Sequence, residues 1–363
     1  MALPDFGAEG QERLQAARVL LIGAGGLGSP AALYLAAAGV GTLGLVDPDK
    51  VELSNLQRQI LHGTKDVGRP KVQSGAESLA GINPHVRVQT YHESFTAAGA
   101  LQRTLGWHVV IDGSDNFSTR YASNDACVAH GIPNVYGSVW RFEGQISVFD
   151  PARGGPCYRC LNPEAPAPGT VPGCNEAGVL GVVPGLVGMM QALEAIKLIT
   201  GVGQPMVGRL LHLDALAMKF REFHLRRDPQ CRRCAPGRSK LPIVEEGTSC
   251  AFSPGMTDKD DISVQDLAGR RASSEAYVLL DVREDWELEA ASLQPCLHIP
   301  LNQVTARSRE IPRDIPVYVI CHGGVRSAHA VELLGSEGYD NVLNVRGGIA
   351  AWSEEVDASV PSY

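Results

Sequence analysis

The sequence predicts an α/β protein in two domains, a larger one with a mixed sheet and a smaller one behind a linker. Three observations carry this expectation. Short apolar runs alternate with helix-like stretches over residues 18–130, the pattern of βαβ units around a parallel sheet. Two apolar runs, Ile132–Ser138 and Arg141–Phe149, are joined by a short connection, which predicts an antiparallel hairpin. From Ala235 to Met256 Pro, Gly, Ser and charge follow one another without a period, and βα alternation then restarts. The expected domains are 1–234 and 257–363, with a linker over 235–256.

Bulk composition narrows the function classes. A chain of 363 residues with 44% hydrophobic content can bury two cores. A formal net charge of −8 argues against a dedicated nucleic-acid or membrane-surface binder. The N-terminus shows no basic region followed by an apolar one, so no secretory signal is expected. The most apolar stretch, Val179–Leu193, is interrupted by Pro184 and several glycines and is too short to span a bilayer. A cytoplasmic protein without a membrane segment is the expectation. Four of the nine cysteines sit in two C-x-x-C pairs, which in a cytosolic chain points to metal or thiol chemistry.

Taken in order, Ala8–Ala17 reads as a polar helix. The run Val19-Leu-Leu-Ile22 reads as a buried strand that ends in Gly23-Ala-Gly25-Gly26-Leu-Gly28, with an Ala-rich helix behind it. Gly23, Gly25 and Gly28 have G-x-G-x-x-G spacing. Such a turn lets the backbone approach a phosphate, and the helix start offers free N–H groups to it. A second strand, Thr42–Val46, ends in Asp47, placed to accept ribose hydroxyls. Residues 51–59, which include Ser54, Asn55, Leu56, Gln57 and Arg58, are polar without a clean period and read as a functional loop. Lys71 stands near the start of a helix over Pro70–Leu79. Val86–Thr90 reads as a strand, Thr96–Leu105 as a helix and His108–Ile111 as a strand. That strand ends in Asp112-Gly-Ser-Asp115-Asn116, at the mouth of the next helix. After the hairpin, Pro151–Gly173 reads as a mobile crossing loop holding Cys157 and Cys160. A helix over about Val187–Thr200 follows, then strands near Leu210–Leu213 and Lys219–Leu225. In the second domain Val278–Leu280 and Val317–Ile320 read as strands and Val325–Glu337 as a helix.

Four sites of chemistry emerge. Cys157, Cys160, Cys231 and Cys234 supply two chelating pairs. Four thiolates suit tetrahedral zinc, and a closed shell of sulfur makes such a site structural; redox dithiols or plain core cysteines are the alternatives. Cys321-His-Gly-Gly-Val-Arg326-Ser327 follows a buried strand and opens a helix. Backbone N–H groups, the helix dipole and Arg326 would favour an anionic thiolate or persulfide on Cys321. Cysteine phosphatases place one more residue between Cys and Arg, and the tighter ring suits sulfur; an inert turn is the alternative. Arg58 and Lys71 lie downstream of Asp47 and suit a triphosphate better than a dinucleotide, with Asp112 and Asp115 as candidates for magnesium; solvated surface charges are the alternative. Cys174, in the crossing loop, is either reactive or idle.

Together GAGGLGS, Asp47, SNLQRQ at 54–59, Lys71, DGSDN at 112–116, RFEGQ at 141–145 and the paired C-x-x-C resemble the MoeB/ThiF family of ubiquitin-activating-type adenylyltransferases. LLDVRE at 279–284, CHGGVRS at 321–327 and NVRGGIAAW at 344–352 resemble a rhodanese domain. The fusion is similar to the molybdopterin-synthase sulfurylases. The resemblance implies a Rossmann-like adenylation domain with a mixed sheet plus a smaller α/β rhodanese domain. It implies an ATP site at Gly26, Asp47, Ser54, Asn55, Leu56, Gln57, Arg58, Lys71, Asp115 and Asn116, with Mg2+ served by Asp115, and Zn2+ on the four paired cysteines. Cys174 would match the family's loop cysteine and Cys321 the rhodanese persulfide. The implied substrate is a small ubiquitin-like sulfur carrier ending in Gly-Gly. Its C-terminal carboxylate is adenylylated and then receives sulfur from thiosulfate or a cysteine desulfurase. A homodimer is implied as well. The family's upstream arginine, which reaches a partner subunit's ATP, matches neither Arg13 nor Arg18.

Two other readings stand beside this one. An NAD-dependent oxidoreductase accounts for the glycine turn and Asp47 but leaves SNLQRQ, the paired cysteines and the Cys321 loop unused. A carrier-binding scaffold without catalysis accounts for the surfaces alone. The motifs are shared by molybdopterin, thiamine, cysteine and tRNA thiolation routes.

Overall fold

The computed structural model describes residues 6–166, 178–245, 261–273 and 275–361. These fall into two compact units that divide between 245 and 261.

The first unit begins with α1 (Gly7–Ala16), β1 (Arg18–Ile22), α2 (Gly28–Ala38), β2 (Thr42–Val46), α3 (Lys71–Ile82), β3 (Arg87–Tyr91), α4 (Ala97–Thr104), β4 (Val109–Asp112) and α5 (Phe117–His130). It continues with β5 (Asn134–Trp140), β6 (Glu143–Phe149), α6 (Tyr158–Leu161), α7 (Val182–Thr200), β7 (Arg209–Asp214) and β8 (Lys219–His224). The strands form one sheet in the order β3-β2-β1-β4-β5-β6-β7-β8. Pairing is parallel from β3 to β5 and antiparallel from β5 to β8. Parallel strands buried on both faces need continuous apolar runs, and Val19–Ile22 and Val109–Ile111 supply them. Strand order reverses between β1 and β4. That leaves a crevice at their carboxyl ends, where open α/β sheets bind ligands.

Helix α7 packs against α1, α2, β4, β5 and β6. It has the length and composition of a membrane span, yet its place is in the core of this unit. Gln191 donates from Nε2 to the carbonyls of Asp112 (2.7 Å) and Val135 (3.0 Å), tying the helix across two strand ends. Gly188 lets it approach α2, since a Cβ there would lie 2.2 Å from the Leu27 carbonyl oxygen.

Three expectations change. Helix α7 starts at Val182 rather than near Val187. Pro184 falls in its first turn, where no N–H partner exists to be lost, so the proline opens the helix instead of ending it. Of the expected crossing loop over 151–173, residues 151–166 are packed on the first unit, and 167–173 lie outside the described residues. Tyr158 is buried against Tyr121, Tyr136 and Phe149, and α6 is anchored by it. Residues 235–245 are packed on the first unit rather than forming a free linker: Ile243 joins the cluster around Phe95, Ala97, Ala122 and Ala126.

The second unit contains β9 (Asp261–Ile262), α8 (Val264–Ala272), β10 (Val278–Asp281), α9 (Asp285–Ala290), β11 (Leu297–His298), β12 (Val317–Ile320), α10 (Val325–Ser336), β13 (Val342–Val345) and α11 (Gly348–Glu355). Its strands form a parallel sheet in the order β11-β10-β12-β13-β9. Alternation along β10 and β12 divides the core. Leu280 and Val319 face a cluster with Ala330 and Leu334, while Leu279 and Tyr318 face one with Ile349 and Trp352.

Candidate functional site

A cavity of about 350 Å³ opens at the carboxyl ends of β1, β2 and β4. Two glycines make its floor possible. Gly23 has φ +92°, a conformation L side chains rarely adopt, and a Cβ at Gly28 would lie 1.9 Å from the Gly23 carbonyl oxygen. Gly25 and Gly26 line the cavity itself.

Of the predicted ATP-site residues, Gly26, Asp47, Arg58, Lys71, Asp115 and Asn116 meet in this cavity. Ser54, Asn55, Leu56 and Gln57 are not among its lining residues. Asn55 is buried and builds the turn instead. Its side chain exchanges hydrogen bonds with Glu52, and its carbonyl accepts the N–H groups of Arg58 (3.1 Å) and Gln59 (3.0 Å). This turn delivers Arg58 and Gln59 to the wall.

Asp47 is 5% exposed and receives the N–H groups of Ala24 (2.8 Å) and Asp49 (2.9 Å) on its two oxygens. Burial pushes its pKa up, and the positive charge of Lys71 opposes that rise. Lys71 is itself buried, with Nζ 2.9 Å from Asp49 Oδ2. Asp49 is a wall residue that sequence reasoning passed over, although it lies only two positions beyond Asp47. His62, also missed, stands behind the glycine turn. Its Nε2 lies 3.0 Å from the Ala24 carbonyl and its Nδ1 2.9 Å from Ser74 Oγ. A carbonyl only accepts, so Nε2 carries a proton. Burial lowers the His62 pKa, since a buried imidazolium loses its hydration.

Asp115 is exposed at the cavity rim. Asp112, the other acidic residue of this stretch, is not among the cavity's lining residues. Its carboxylate is buried and accepts from the N–H (3.1 Å) and hydroxyl (2.5 Å) of Ser114 and from the Ser123 hydroxyl, so its oxygens are committed to the fold. Arg13 and Arg18 lie away from the cavity: Arg13 donates to the Thr200 carbonyl (2.7 Å), and Arg18 donates to the Gly106 carbonyl (3.0 Å) and lies over Trp107.

Cys157, Cys160, Cys231 and Cys234 converge, all four sulfurs lying within 4.8 Å of one another. Zinc–sulfur bonds of about 2.3 Å in a tetrahedron place sulfurs about 3.8 Å apart, so the cluster fits the metal. The surrounding charge fits as well. Asp125 lies between two buried arginines, one from each C-x-x-C. Arg159 makes a bidentate pair with its carboxylate (2.8 Å twice), and Arg233 donates to its carbonyl (3.2 and 2.7 Å). Two cations and one anion leave a net positive charge beside sulfurs that become anionic on metal binding. The Cys160 thiol is held below its ordinary range, chiefly by the hydrogen bond it shares with Cys157.

In the second unit Cys321 is buried at the end of β12. Its sulfur lies 3.1 Å from the Gly324 N–H and 3.2 Å from the Ser327 hydroxyl. Arg326 is held by a residue from outside this loop. It makes a bidentate pair with Glu287 (2.6 and 2.8 Å), a residue no local motif pointed to because it lies on α9. Helix α11 closes the loop: Ile349 N–H donates to the Cys321 carbonyl (2.9 Å) and Ala350 N–H to that of His322 (3.0 Å). Gly348 has φ +57°, and a Cβ there would lie 2.3 Å from the Cys321 carbonyl oxygen. Cys174 lies outside the described residues.

Comparison with known proteins agrees with this layout. Residues 1–233 match the ThiF family and residues 263–355 the rhodanese-like domain. The chain is similar to the probable adenylyltransferase/sulfurtransferase MoeZ of Mycobacterium tuberculosis, 41% identical over all of this chain and 93% of the relative. It is also similar to the adenylyltransferase and sulfurtransferase MOCS3 of Sus scrofa, 42% identical over all of this chain and 86% of that protein. Among solved structures, E. coli MccB with ATP superposes with a TM-score of 0.55 at 21% identity, covering 61% of this chain and 68% of that one, and shares the fold. This chain belongs to the ThiF family, among the adenylyltransferases and sulfurtransferases that carry a rhodanese-like domain.

Proposed function

We propose that the first unit uses ATP to adenylylate the C-terminal glycine of a small ubiquitin-like sulfur carrier, and that Cys321 then supplies sulfur to make a thiocarboxylate. The meeting of Asp47, Arg58, Lys71 and Asp115 in one cavity beside the glycine turn carries this reading. The N–H groups at the start of α2 would meet a polyphosphate, and Asp47 suits the ribose. A carrier carboxylate oxygen attacks the α-phosphorus and pyrophosphate leaves. Arg58 and Lys71 neutralise charge that builds on the phosphates, for which Lys71 must exchange Asp49 for a phosphate oxygen. Asp115 would hold magnesium, which supplies further neutralisation of phosphate charge.

The acyl-adenylate is an activated carbonyl. The terminal sulfur of a Cys321 persulfide attacks it and AMP leaves, giving an acyl disulfide. A second thiol then attacks the Cys321 sulfur's side of that disulfide, forms a new disulfide with it and releases the thiocarboxylate. Cys174 is the candidate thiol; a carrier thioester on Cys174 before sulfur arrives is the alternative order. Gly324 N–H and the Ser327 hydroxyl stabilise sulfur anion at Cys321, and Arg326 braces the loop through Glu287. An external thiol reductant returns that disulfide to two thiols, and thiosulfate or a cysteine desulfurase then transfers sulfane sulfur to the freed Cys321 thiolate, restoring the persulfide. The four paired cysteines hold zinc in a structural role. We assign the protein to the cytoplasm, as a homodimer.

The test is mass spectrometry of non-reduced, acid-quenched reactions with ATP, magnesium, thiosulfate and a Gly-Gly-ending carrier. Cys174→Ala is expected to accumulate carrier joined to Cys321 as a reducible adduct. A wild-type carrier–Cys174 conjugate supports the thioester order. Wild-type thiocarboxylate output from Cys174→Ala without added reductant removes Cys174 from the mechanism.

A further inference from the structure

The segment that follows the second C-x-x-C reaches the helix starts at the cavity rim. Residues 238–245 run along α5 from its carboxyl half to its amino end. Arg233, whose guanidinium grips the Asp125 carbonyl, also donates to the Leu241 carbonyl (2.5 Å). Ile243 then packs on the apolar cluster shared by α4 and α5. The segment ends at Glu245, whose Oε2 accepts the N–H of Ala97 (3.0 Å) and whose Oε1 accepts the Ser118 hydroxyl. Ala97 is the first residue of α4 and Ser118 the second of α5, so one carboxylate ties two helix starts together. A negative charge at helix N-termini is stabilising, and Thr96 at the α4 N-cap makes no side-chain cap bond of its own, so Glu245 takes that place.

These helix starts are the cavity rim. Ser94 and Phe95, just before α4, line it, as do Asn116 and Thr119 at the start of α5, with Asp115 immediately before. The Thr119 hydroxyl further donates to the Phe95 carbonyl (3.4 Å), joining the same two segments.

We propose that Glu245 is a positioning residue for nucleotide binding: it clamps the starts of α4 and α5 and so sets the rim that carries Phe95, Asp115 and Asn116. It touches neither nucleotide nor carrier and acts through those two helix starts. The inference rests on the reading of this cavity as the ATP site. It adds that the segment following the second C-x-x-C is a working part of that site rather than a passive connection.

The experiment compares full-length wild type, Glu245→Gln and Glu245→Ala by calorimetric titration with a non-hydrolysable ATP analogue and magnesium. Amide hydrogen exchange over residues 94–119 and zinc content are measured on the same samples. Glu245→Ala is expected to weaken analogue binding about fivefold, the loss of one cap expressed as a binding ratio. Exchange should rise at the starts of α4 and α5, with zinc content unchanged. Glu245→Gln, which keeps one acceptor oxygen, should recover part of the affinity. If wild type binds the analogue and Glu245→Ala binds it equally well, the positioning role is overturned while the ATP site stands. If wild type fails to bind it, the ATP reading falls and the inference falls with it.

Discussion

The glycine turn between β1 and α2 and the Cys321 loop between β12 and α10 are the same device used for two purposes. Each follows a buried parallel strand, turns on glycines with positive φ or close backbone approach, and opens a helix. In each, the carbonyl at the turn is held from behind: that of Ala24 by His62 Nε2, that of Cys321 by the Ile349 N–H. The difference is what the turn encloses. The first surrounds a cavity of about 350 Å³ and draws its cations, Arg58 and Lys71, from other parts of the chain. The second closes on an atom of its own, the Cys321 sulfur, and commits Arg326 to Glu287. A diffusible anion needs an open site with charges that can be exchanged, whereas a covalently attached sulfur needs only a few fixed donors.

If the two devices are separate, breaking one leaves the other whole. The largest effect is expected at the four-cysteine cluster of the first unit. Cys231→Ser removes a ligand from a cluster whose sulfurs lie within 4.8 Å of each other. Zinc should be lost, at a cost of more than about 4 kcal/mol to the first unit, while sulfur transfer from thiosulfate to cyanide persists. Metal analysis and melting curves read this. Wild-type protein purified without chelator and found to lack zinc would end the metal assignment.

Next in size is the separation of chemistries. Lys71→Ala and Asp115→Ala are expected to lower carrier-dependent ATP–pyrophosphate exchange by at least about 10²-fold, with sulfur transfer from thiosulfate unchanged. Cys321→Ala should do the reverse. Normal exchange by Asp115→Ala would show the cavity to be misassigned.

A smaller effect sharpens the likeness between the turns. Gly28→Ala would place a methyl 1.9 Å from the Gly23 carbonyl oxygen, and Gly348→Ala one 2.3 Å from that of Cys321. Each should cost about 1–3 kcal/mol in its own unit, read as a shift in denaturant midpoint. Gly25→Ala meets only the Gln59 side chain, at 3.6 Å, and points at the cavity. It should leave stability nearly unchanged while weakening nucleotide binding. Equal destabilisation by Gly25→Ala and Gly28→Ala would contradict the assignment of close approach to Gly28 alone.

What was legible in the sequence follows physical range. Runs such as Val19–Ile22 and Val317–Ile320 are apolar because both sheet faces are covered, so they declare themselves locally. The strands β9 and β11 are two residues each and carry no period, so they were invisible. Pro184 was read as an interruption because a proline looks the same inside a helix and in its first turn. The converging cysteines were legible because their spacing is the chemistry. The partners that tune the sites were not: Arg326 and Glu287 are 39 residues apart, and Ala97 and Glu245 are 148 apart, so only the fold brings them together. Asn55 shows the opposite case, a motif residue whose side chain turned out to build the loop rather than line the cavity.

The smallest expected effect distinguishes the two props. The Cys321 carbonyl is held by a backbone N–H, which does not titrate, whereas the Ala24 carbonyl is held by His62, which does. Burial lowers the folded-state pKa of His62 below its ordinary 6.5; the bond to the Ala24 carbonyl opposes this, the charge of Lys71 adds to it, and Asp47 and Asp66 oppose it. A group whose folded pKa is depressed binds fewer protons folded than unfolded. Its contribution is therefore fully present above pH 6.5 and is lost as pH falls through the folded-state pKa. One such group changes stability by at most about 1.4 kcal/mol per pH unit in that window. His62→Gln keeps an N–H near the position of Nε2 and removes the titration. Melting of the first unit, followed between pH 7.5 and 5.5, should therefore fall less steeply in His62→Gln than in wild type. The second unit's transition should have the same pH dependence in both proteins. Parallel pH profiles for the first unit in variant and wild type would mean that His62 does not titrate on folding, and the asymmetry between the two props would be one of geometry alone.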